Sequence, residues 1–334
     1  MTNILVTGGF GFLAQHLVSA LLKKSPDFMI TILDKVQGEF FLDELKGNGR
    51  IKIVTHADVT KPETMEAYFN GIHVVYHLAA LVSFWRKHKS LLYKVNIEGT
   101  ENVIKICIKH NIRRMVYVSS TAALGYNNDK ENYADENWQY DWSKAGTFFY
   151  MLSKYYAEQR VRDACCDGFQ AIIANPSSMF GPGDKKFYPL ADNIATGKVP
   201  LMPGGFAVTD VRDTASGLVA MYDKGRSGEG YLLIGGNYTY KEIFNTIAEE
   251  QNAPLPSRMI PRIAAPLIVP LLGFFEILSP KEPKLMKEVV APGFKYRYYN
   301  NSKAKKELEW KPQYSLKQSV RDALAYKASQ QGGL

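Results

Sequence analysis

Cysteine is scarce in this chain: Cys107, Cys165 and Cys166 are the only three in 334 residues. None stands at a metal-ligand spacing, and the vicinal pair Cys165-Cys166 has awkward geometry for a structural disulfide. No metal site is therefore expected, and a reduced, cytoplasmic chain is. The opening MTNILVTGG lacks the basic stretch and long apolar run of an export signal and leads directly into a strand-like pattern. Long hydrophobic runs are missing too. The longest wholly apolar stretch, residues 263–275 (IAAPLIVPLLGFF), contains Pro266 and Pro270 and falls short of the roughly 20 residues that cross a bilayer. It is expected to be a buried or pocket-lining helix, with peripheral contact to a membrane surface as the alternative. The formal charge is +8, yet Lys and Arg are scattered without a dense run, which speaks against a nucleic-acid partner and for one anionic cofactor. Repeats and low-complexity tracts are absent, and a chain that is 46% hydrophobic and 22% charged is globular and long enough to bury a full core.

What is present is an alternation. Short Val- and Ile-rich runs (NILVTG, MITILD, IKIVTHAD, HVVYHLAA, RMVYVSS, QAIIANP) are separated by segments with apolar residues three or four apart: FLAQHLVSALLKK, PETMEAYFN, VNIEGTENVIKICIKH and a pattern over 147–165. Strand and helix in alternation predict an α/β, doubly wound parallel sheet with ligands at the carboxyl ends of the strands. After Pro176 loops become frequent; helices are predicted near 185–197, 213–224, 240–251 and 315–328, and YLLIGG reads as one more strand. We assign 1–175 plus about 206–236 to a nucleotide-binding domain and about 176–205 with 237–334 to a smaller, mostly C-terminal substrate lobe.

Strand one ends in TGGFGFLA, where Gly8, Gly11 and Ala14 fit a turn that opens a helix. Glycines there let backbone amides approach a pyrophosphate at a helix N-terminus. Strand two ends at Asp34, about 20 residues on, where a carboxylate accepts hydrogen bonds from a ribose diol and repels a 2′-phosphate. NAD is therefore favoured, while neighbouring Lys35 leaves NADP open. Asp58 ends strand three, placed for an adenine edge or for capping the next helix. Ala79 and Ala80 are small residues at the end of strand four, and Ser119-Ser120 end strand five. Tyr-x-x-x-Lys occurs four times, at Tyr126/Lys130, Tyr140/Lys144, Tyr150/Lys154 and Tyr299/Lys303. On a helix that spacing puts an ammonium beside a phenol and lowers its pKa.

In order along the chain, TGGFGFLA, HLAA, VNIEGT, YVSSTAALG, YMLSKYYAE, NPSSMFGPGD, DVRDTASG and SKAKKELEWKP resemble the extended short-chain dehydrogenase/reductase family over nearly the whole length. The resemblance implies a Rossmann-type sheet and a catalytic Tyr150 and Lys154, matched with Ser153, Ala157 and Glu158, whereas Tyr140/Lys144 runs into Ala145-Gly146. It implies that Ser120, with Thr121 as competitor, holds the substrate oxygen. By the same resemblance Gly8, Gly11, Phe12, Asp34, Asp58, Val59, Ala79, Ala80, Asn96, Lys154, Pro176 and Ser178 contact the cofactor, and a homodimer is implied. Asn96 is explained equally well as a structural link. Where sugar-nucleotide epimerases and dehydratases of this family carry an Arg-Asp pair, this chain has Phe206 and Ala207; where the family carries an Arg before Pro, it has Asn175. The wording is closer to dihydroflavonol reductase-like and hydroxysteroid dehydrogenase-like members, which implies an NAD(P)-dependent oxidoreductase acting on a ketone, aldehyde or secondary alcohol of a hydrophobic small molecule. Trp85, Trp138, Trp142, Phe148, Phe149, Tyr155 and Phe180 are candidates for lining its pocket. A nucleotide-sugar epimerase/dehydratase and a catalytically silent cofactor-binding regulator are the alternatives.

Overall fold

A computed structural model describes residues 1–331. In chain order its elements are β1 (Thr2–Thr7), α1 (Phe12–Lys24), β2 (Phe28–Leu33), β3 (Ile51–Val54), β4 (Val74–His77), α2 (Lys89–Tyr93), α3 (Gly99–Lys109), β5 (Arg114–Val118), α4 (Phe149–Cys166), β6 (Ala171–Pro176), β7 (Ser178–Phe180), α5 (Phe187–Ala195), β8 (Gly205–Asp210), α6 (Val211–Lys224), β9 (Gly230–Leu233), β10 (Gly236–Thr239), α7 (Tyr240–Glu249), α8 (Ala265–Leu278), α9 (Lys287–Val290), β11 (Tyr296–Arg297), α10 (Ser302–Glu307) and α11 (Leu316–Gln331). Seven strands form one sheet in the order β3-β2-β1-β4-β5-β6-β9, and every pair in it is parallel.

The lack of polar alternation in the strands has a direct cause. Ile4 and Val6 of β1 enter the core that α1 and α6 cover, while Leu5 between them enters the core that α3 and α4 cover. Successive side chains point to opposite faces, so a strand covered on both sides has to be apolar at every position. Strand order reverses on either side of β1, with β2 as one neighbour and β4 as the other. A cleft therefore opens at the carboxyl ends of β1 and β4.

Three expectations need correction. PETMEAYFN forms two short 3-10 turns, Pro62–Thr64 and Glu66–Phe69, rather than an α-helix, consistent with Pro62 and a span too short to nucleate one. β8, counted above with the nucleotide-binding part, pairs with β7, β10 and β11 in a second, four-stranded sheet, whereas α6 and β9 after it pack in and on the large one. The apolar segment is not buried: α8 leaves Leu267, Leu271, Phe274, Phe275 and Leu278 exposed and buries Glu276. Among the described residues no helix is long and apolar enough to cross a membrane.

The C-terminal part is fastened to the large sheet through α6. Asp210 caps that helix by accepting the Arg212 amide (2.8 Å). The Asp213 carboxylate accepts the amides of Gln313 (2.8 Å) and Tyr314 (3.1 Å), and Trp310 Nε1 donates to the Asp213 carbonyl (2.9 Å). DVRD and EWKP are thus two halves of one joint.

The turn after β1 is as tightly packed as a core. A Cβ on Gly9 would stand 1.9 Å from Ile32 Cγ2, and Ile32 is fully buried. Gly9→Ala is expected to cost about 1–3 kcal/mol through overpacking. Denaturant unfolding measures it, and an unchanged midpoint would mean that the turn yields freely.

Candidate active site

The β1–α1 turn makes its shape from glycine. Gly8 has φ +68°, and a Cβ there would lie 2.9 Å from Ala79 Cα, so the backbones after β1 and β4 touch only because neither residue has bulk. α1 then starts with no side-chain cap at Gly11 and no acid in its first turn. Its first amides lack an intrahelical partner and present a positive end to the cleft. Asp34, just past β2, accepts the amides of Phe10 (3.1 Å) and Val36 (3.3 Å). Its carboxylate thereby holds the turn and keeps further lone pairs for a ligand hydroxyl. An uncapped helix end over a glycine cradle, with a carboxylate beside it, fits a dinucleotide.

A hydrogen-bonded relay ties this turn to the helix that carries the Tyr/Lys pair. Thr7 Oγ1 accepts the amides of Leu78 and Ala79 (both 3.2 Å) and lies 2.7 Å from His77 Nδ1. Thr100 Oγ1 donates to the Asn96 carbonyl (2.7 Å) and lies 3.1 Å from His77 Nε2. Thr100 has its proton committed, so it accepts from His77, and Thr7 donates to it. This assigns the neutral tautomer with hydrogen on Nε2. Burial, with the charge of Lys154, pushes His77 down to about 3, in keeping with that state. Asn96 grips both the amide and the carbonyl of Leu81 (2.7 and 3.0 Å) and donates to Ser153 Oγ (2.9 Å), which donates to the Tyr150 carbonyl (2.8 Å). Asn96 stands in a wide π-turn, Lys94–Glu98, before α3. The structural link foreseen as its alternative role is what these bonds make.

Tyr150 and Lys154 lie on α4, four residues apart, but Lys154 does not turn to the phenol. Its Nζ donates to the Val118 carbonyl (2.9 Å) and the Tyr117 hydroxyl (3.1 Å), and lies 4.8 Å from the Tyr117 ring centre. Two of its three N–H donors are thereby used. Burial brings Lys154 down to about 8, opposed by the Glu158 carboxylate. The expected lowering of the Tyr150 pKa by this ammonium does not occur: burial raises it, opposed only by a hydrogen bond with the Ser120 hydroxyl. Ser120 Oγ accepts the Ala122 amide (3.1 Å), and Asn175 Nδ2 donates to the Ser120 carbonyl (3.2 Å).

Tyr140 and Lys144 share no helix. Lys144 is exposed and paired with Asp141, while Tyr140 packs beneath Gly125, where a Cβ would meet its ring at 2.2 Å. The other expected residues scatter. The Asp58 carboxylate holds the amide and hydroxyl of Thr60 (both 2.9 Å) and Lys35 (2.9 Å). Val59 is buried against Gly99. The Phe12 ring meets His16 edge-on, with centroids 5.7 Å apart. Pro176 is buried at the end of β6, and Ser178 is exposed at the start of β7. Of the aromatic candidates, Trp142 stacks on Tyr155 (3.8 Å) and Phe180 is buried in the small lobe. Phe84, unmarked by any motif, stands edge-on to Tyr150 (5.6 Å).

Sequence reasoning also missed two carboxylate contacts. Glu158 is buried and accepts from Ser119 Oγ (2.7 Å), Asn175 Nδ2 (2.7 Å) and Arg162 (2.7 Å), which gives Asn175 a physical role. Glu288 accepts the Phe149 amide (2.8 Å) at the first turn of α4. A partner 139 residues away leaves no local signal in the sequence.

A family model described as the 3-beta hydroxysteroid dehydrogenase/isomerase family matches residues 5–208. A Synechocystis protein provisionally named dihydroflavonol 4-reductase is 32% identical over 332 residues, covering 96% of this chain and 92% of that protein. The decarboxylating sterol-4-alpha-carboxylate 3-dehydrogenase of Schizosaccharomyces pombe is 27% identical, with 98% and 97% covered. The solved structure of a dTDP-glucose 4,6-dehydratase from Streptomyces venezuelae with NAD bound superposes with a TM-score of 0.79 at 20% identity, over 99% of this chain and 98% of that one. At that identity the likeness is one of fold.

Burial, with the nearby charge of Glu276, pushes Glu288 up to about 8, opposed by the Phe149 amide and by Lys287. A carboxyl raised in the folded state binds its proton more tightly there than when unfolded, so stability falls as pH rises from the ordinary glutamate range through about 8. Relative to Glu288→Gln, which keeps a carbonyl for the Phe149 amide, the native protein is expected to be most stable at low pH and to lose that margin towards pH 8. Melting temperatures across pH 5–9 measure it; parallel profiles would remove the assignment.

Proposed function

The chain belongs to the 3-beta hydroxysteroid dehydrogenase/isomerase family, extended short-chain dehydrogenase/reductase enzymes, and from that premise we propose that it is an NAD-dependent oxidoreductase acting on a ketone or secondary alcohol of a hydrophobic small molecule. One observation carries the reading: α4, the helix of Tyr150, is bonded to the carboxyl end of β5 on either side of Ser119-Ser120, by Lys154 to the Val118 carbonyl (2.9 Å) and by Glu158 to Ser119 Oγ (2.7 Å), and the buried Lys154 has an N–H to spare. Bound nicotinamide supplies or takes up the hydride. Gly8, Gly11 and the first turn of α1 hold the pyrophosphate, Asp34 the adenosine ribose, and the remaining Lys154 donor a hydroxyl of the nicotinamide ribose.

Tyr150, kept protonated by burial, is in the form that gives a proton to a carbonyl oxygen. Ser120 donates to the same oxygen and stabilises the charge that develops there. Lys154 keeps the end of β5 and α4 in register through the Val118 carbonyl. NAD over NADP is supported by Lys35, whose ammonium is held by Asp58 (2.9 Å). An apolar substrate is supported by Phe84 against Tyr150 and by Phe206 on Tyr240 (4.9 Å), where a diphosphate-gripping arginine would stand. A second reading, a sugar-nucleotide epimerase or dehydratase, draws on Arg297: its guanidinium lies 5.4 Å from the Phe206 ring, and its Nε is buried without a partner.

Screening apolar ketones and alcohols against UDP- and dTDP-sugars by nicotinamide absorbance tests the two. Net change with an apolar substrate supports the first, and sugar conversion without net change replaces it. Tyr150→Phe is expected to lower kcat by roughly 10²–10⁴-fold with NAD binding retained, and Tyr140→Phe to leave kcat unchanged; the reverse pattern would overturn the assignment. Asp34→Ala is expected to weaken NAD binding and leave NADP binding little changed, and equal dissociation constants before and after would remove its role.

A further inference from the structure

The only ionisable residue of α8 is the one it hides. Glu276 is 3% exposed and accepts the Arg86 amide (2.9 Å), while Leu267 (73%), Leu271 (49%), Phe274 (57%), Phe275 (58%) and Leu278 (63%) face outward. A helix on a water-facing surface carries its polar residues outside, so α8 is inverted. The chain before and after it carries exposed cations, Arg258 and Arg262 on one side and Lys281 and Lys284 on the other, with Glu282 the one exposed acid. Lys87, exposed beside its end, donates to the Ser279 carbonyl (2.7 Å). Apolar residues on more than one side of a helix suit a fluid apolar medium better than the single stripe that a protein groove reads. Cations at both ends suit anionic headgroups. Fourteen residues with Pro270 inside lie in the interface and do not span it.

We propose that α8 with its basic flanks is a docking face for an anionic phospholipid bilayer. A cavity of about 290 Å³ opens here, lined by Pro270, Gly273, Phe274 and Ile277 of α8 on one side and by Arg86 and Thr147 on the other. Thr147 lies just before α4. A substrate dissolved in the bilayer would enter beside the helix that carries Tyr150; this step rests on the apolar-substrate reading, whereas docking does not.

Co-sedimentation of the full-length protein with vesicles of phosphatidylcholine alone, or mixed with phosphatidylglycerol, reads docking without turnover. The native protein is expected to partition onto the phosphatidylglycerol vesicles and to be released by salt. Leu267→Asp with Leu271→Asp is expected to reduce partitioning roughly tenfold or more, and Lys281→Gln with Lys284→Gln to reduce it on anionic vesicles only. The lysine variant changes exposed side chains alone and stays informative if the leucine variant unfolds. Native protein left in the supernatant with both vesicle types, or either variant sedimenting like the native protein on anionic vesicles, would overturn the proposal. So would light scattering without vesicles that finds a dimer dissolved by the leucine variant, since a second copy would then cover the face.

Discussion

A buried ammonium must find acceptors, and where Lys154 finds them sets the geometry of the site. Its partners are the Val118 carbonyl and the Tyr117 hydroxyl, both at the carboxyl end of β5. One turn further along α4, Glu158 reaches Ser119 and, through Asn175, the end of β6. One residue before the lysine, Ser153 takes the Asn96 amide group. Three side chains on one helix face thus lock α4 to β5, to β6 and to the segment after β4. Removing one partner of such a set leaves a buried charge uncompensated, which costs far more than the net strength of the pair. These locks place the turn of α4 that carries Tyr150, and Phe84 then stands edge-on to its ring.

The same arrangement explains why the simple electrostatic expectation for the Tyr/Lys pair fails. Helical spacing puts Tyr150 and Lys154 on one face, but spacing does not say where a flexible four-carbon chain ends. The lysine turns inward to the β5 carbonyl and leaves the phenol to burial and Ser120. Its charge is felt instead by His77, held neutral between Thr7 and Thr100. That neutral imidazole joins the glycine turn to Asn96 and, through Ser153, to α4, so the nucleotide cradle and the proton donor share one hydrogen-bonded frame.

Much of this was legible in the sequence where the signal was local. FLAQHLVSALLKK is α1 residue for residue, and the apolar runs are strands because a doubly covered sheet allows nothing else. Gly8 and Asp34 stand where turn chemistry asked for them. Legibility ended where position depends on distant partners. Glu288 on α4, Phe84 against Tyr150 and Asp213 on the C-terminal segment join residues far apart in the chain, and no periodicity marks them. α8 was legible in part, since it lines a cavity but is not buried: hydrophobicity says that a segment avoids water, but not whether protein or another apolar phase replaces it.

That ambiguity bears on how the site could be governed. The α8–α9 region is held to the rest by two buried carboxylates, Glu276 on the Arg86 amide and Glu288 on the Phe149 amide. The first anchors the segment that carries Phe84, and the second anchors the first turn of α4, immediately before Tyr150. The elements that flank the phenol on its open side are therefore fastened to α8 and α9 as well as to the sheet. Whatever covers α8 bears on both carboxylates through the packing that holds them in place. The sheet side of the site is held by Ser153, Lys154 and Glu158 together, whereas the α8 side hangs on these two carboxylates and the backbone amides they accept.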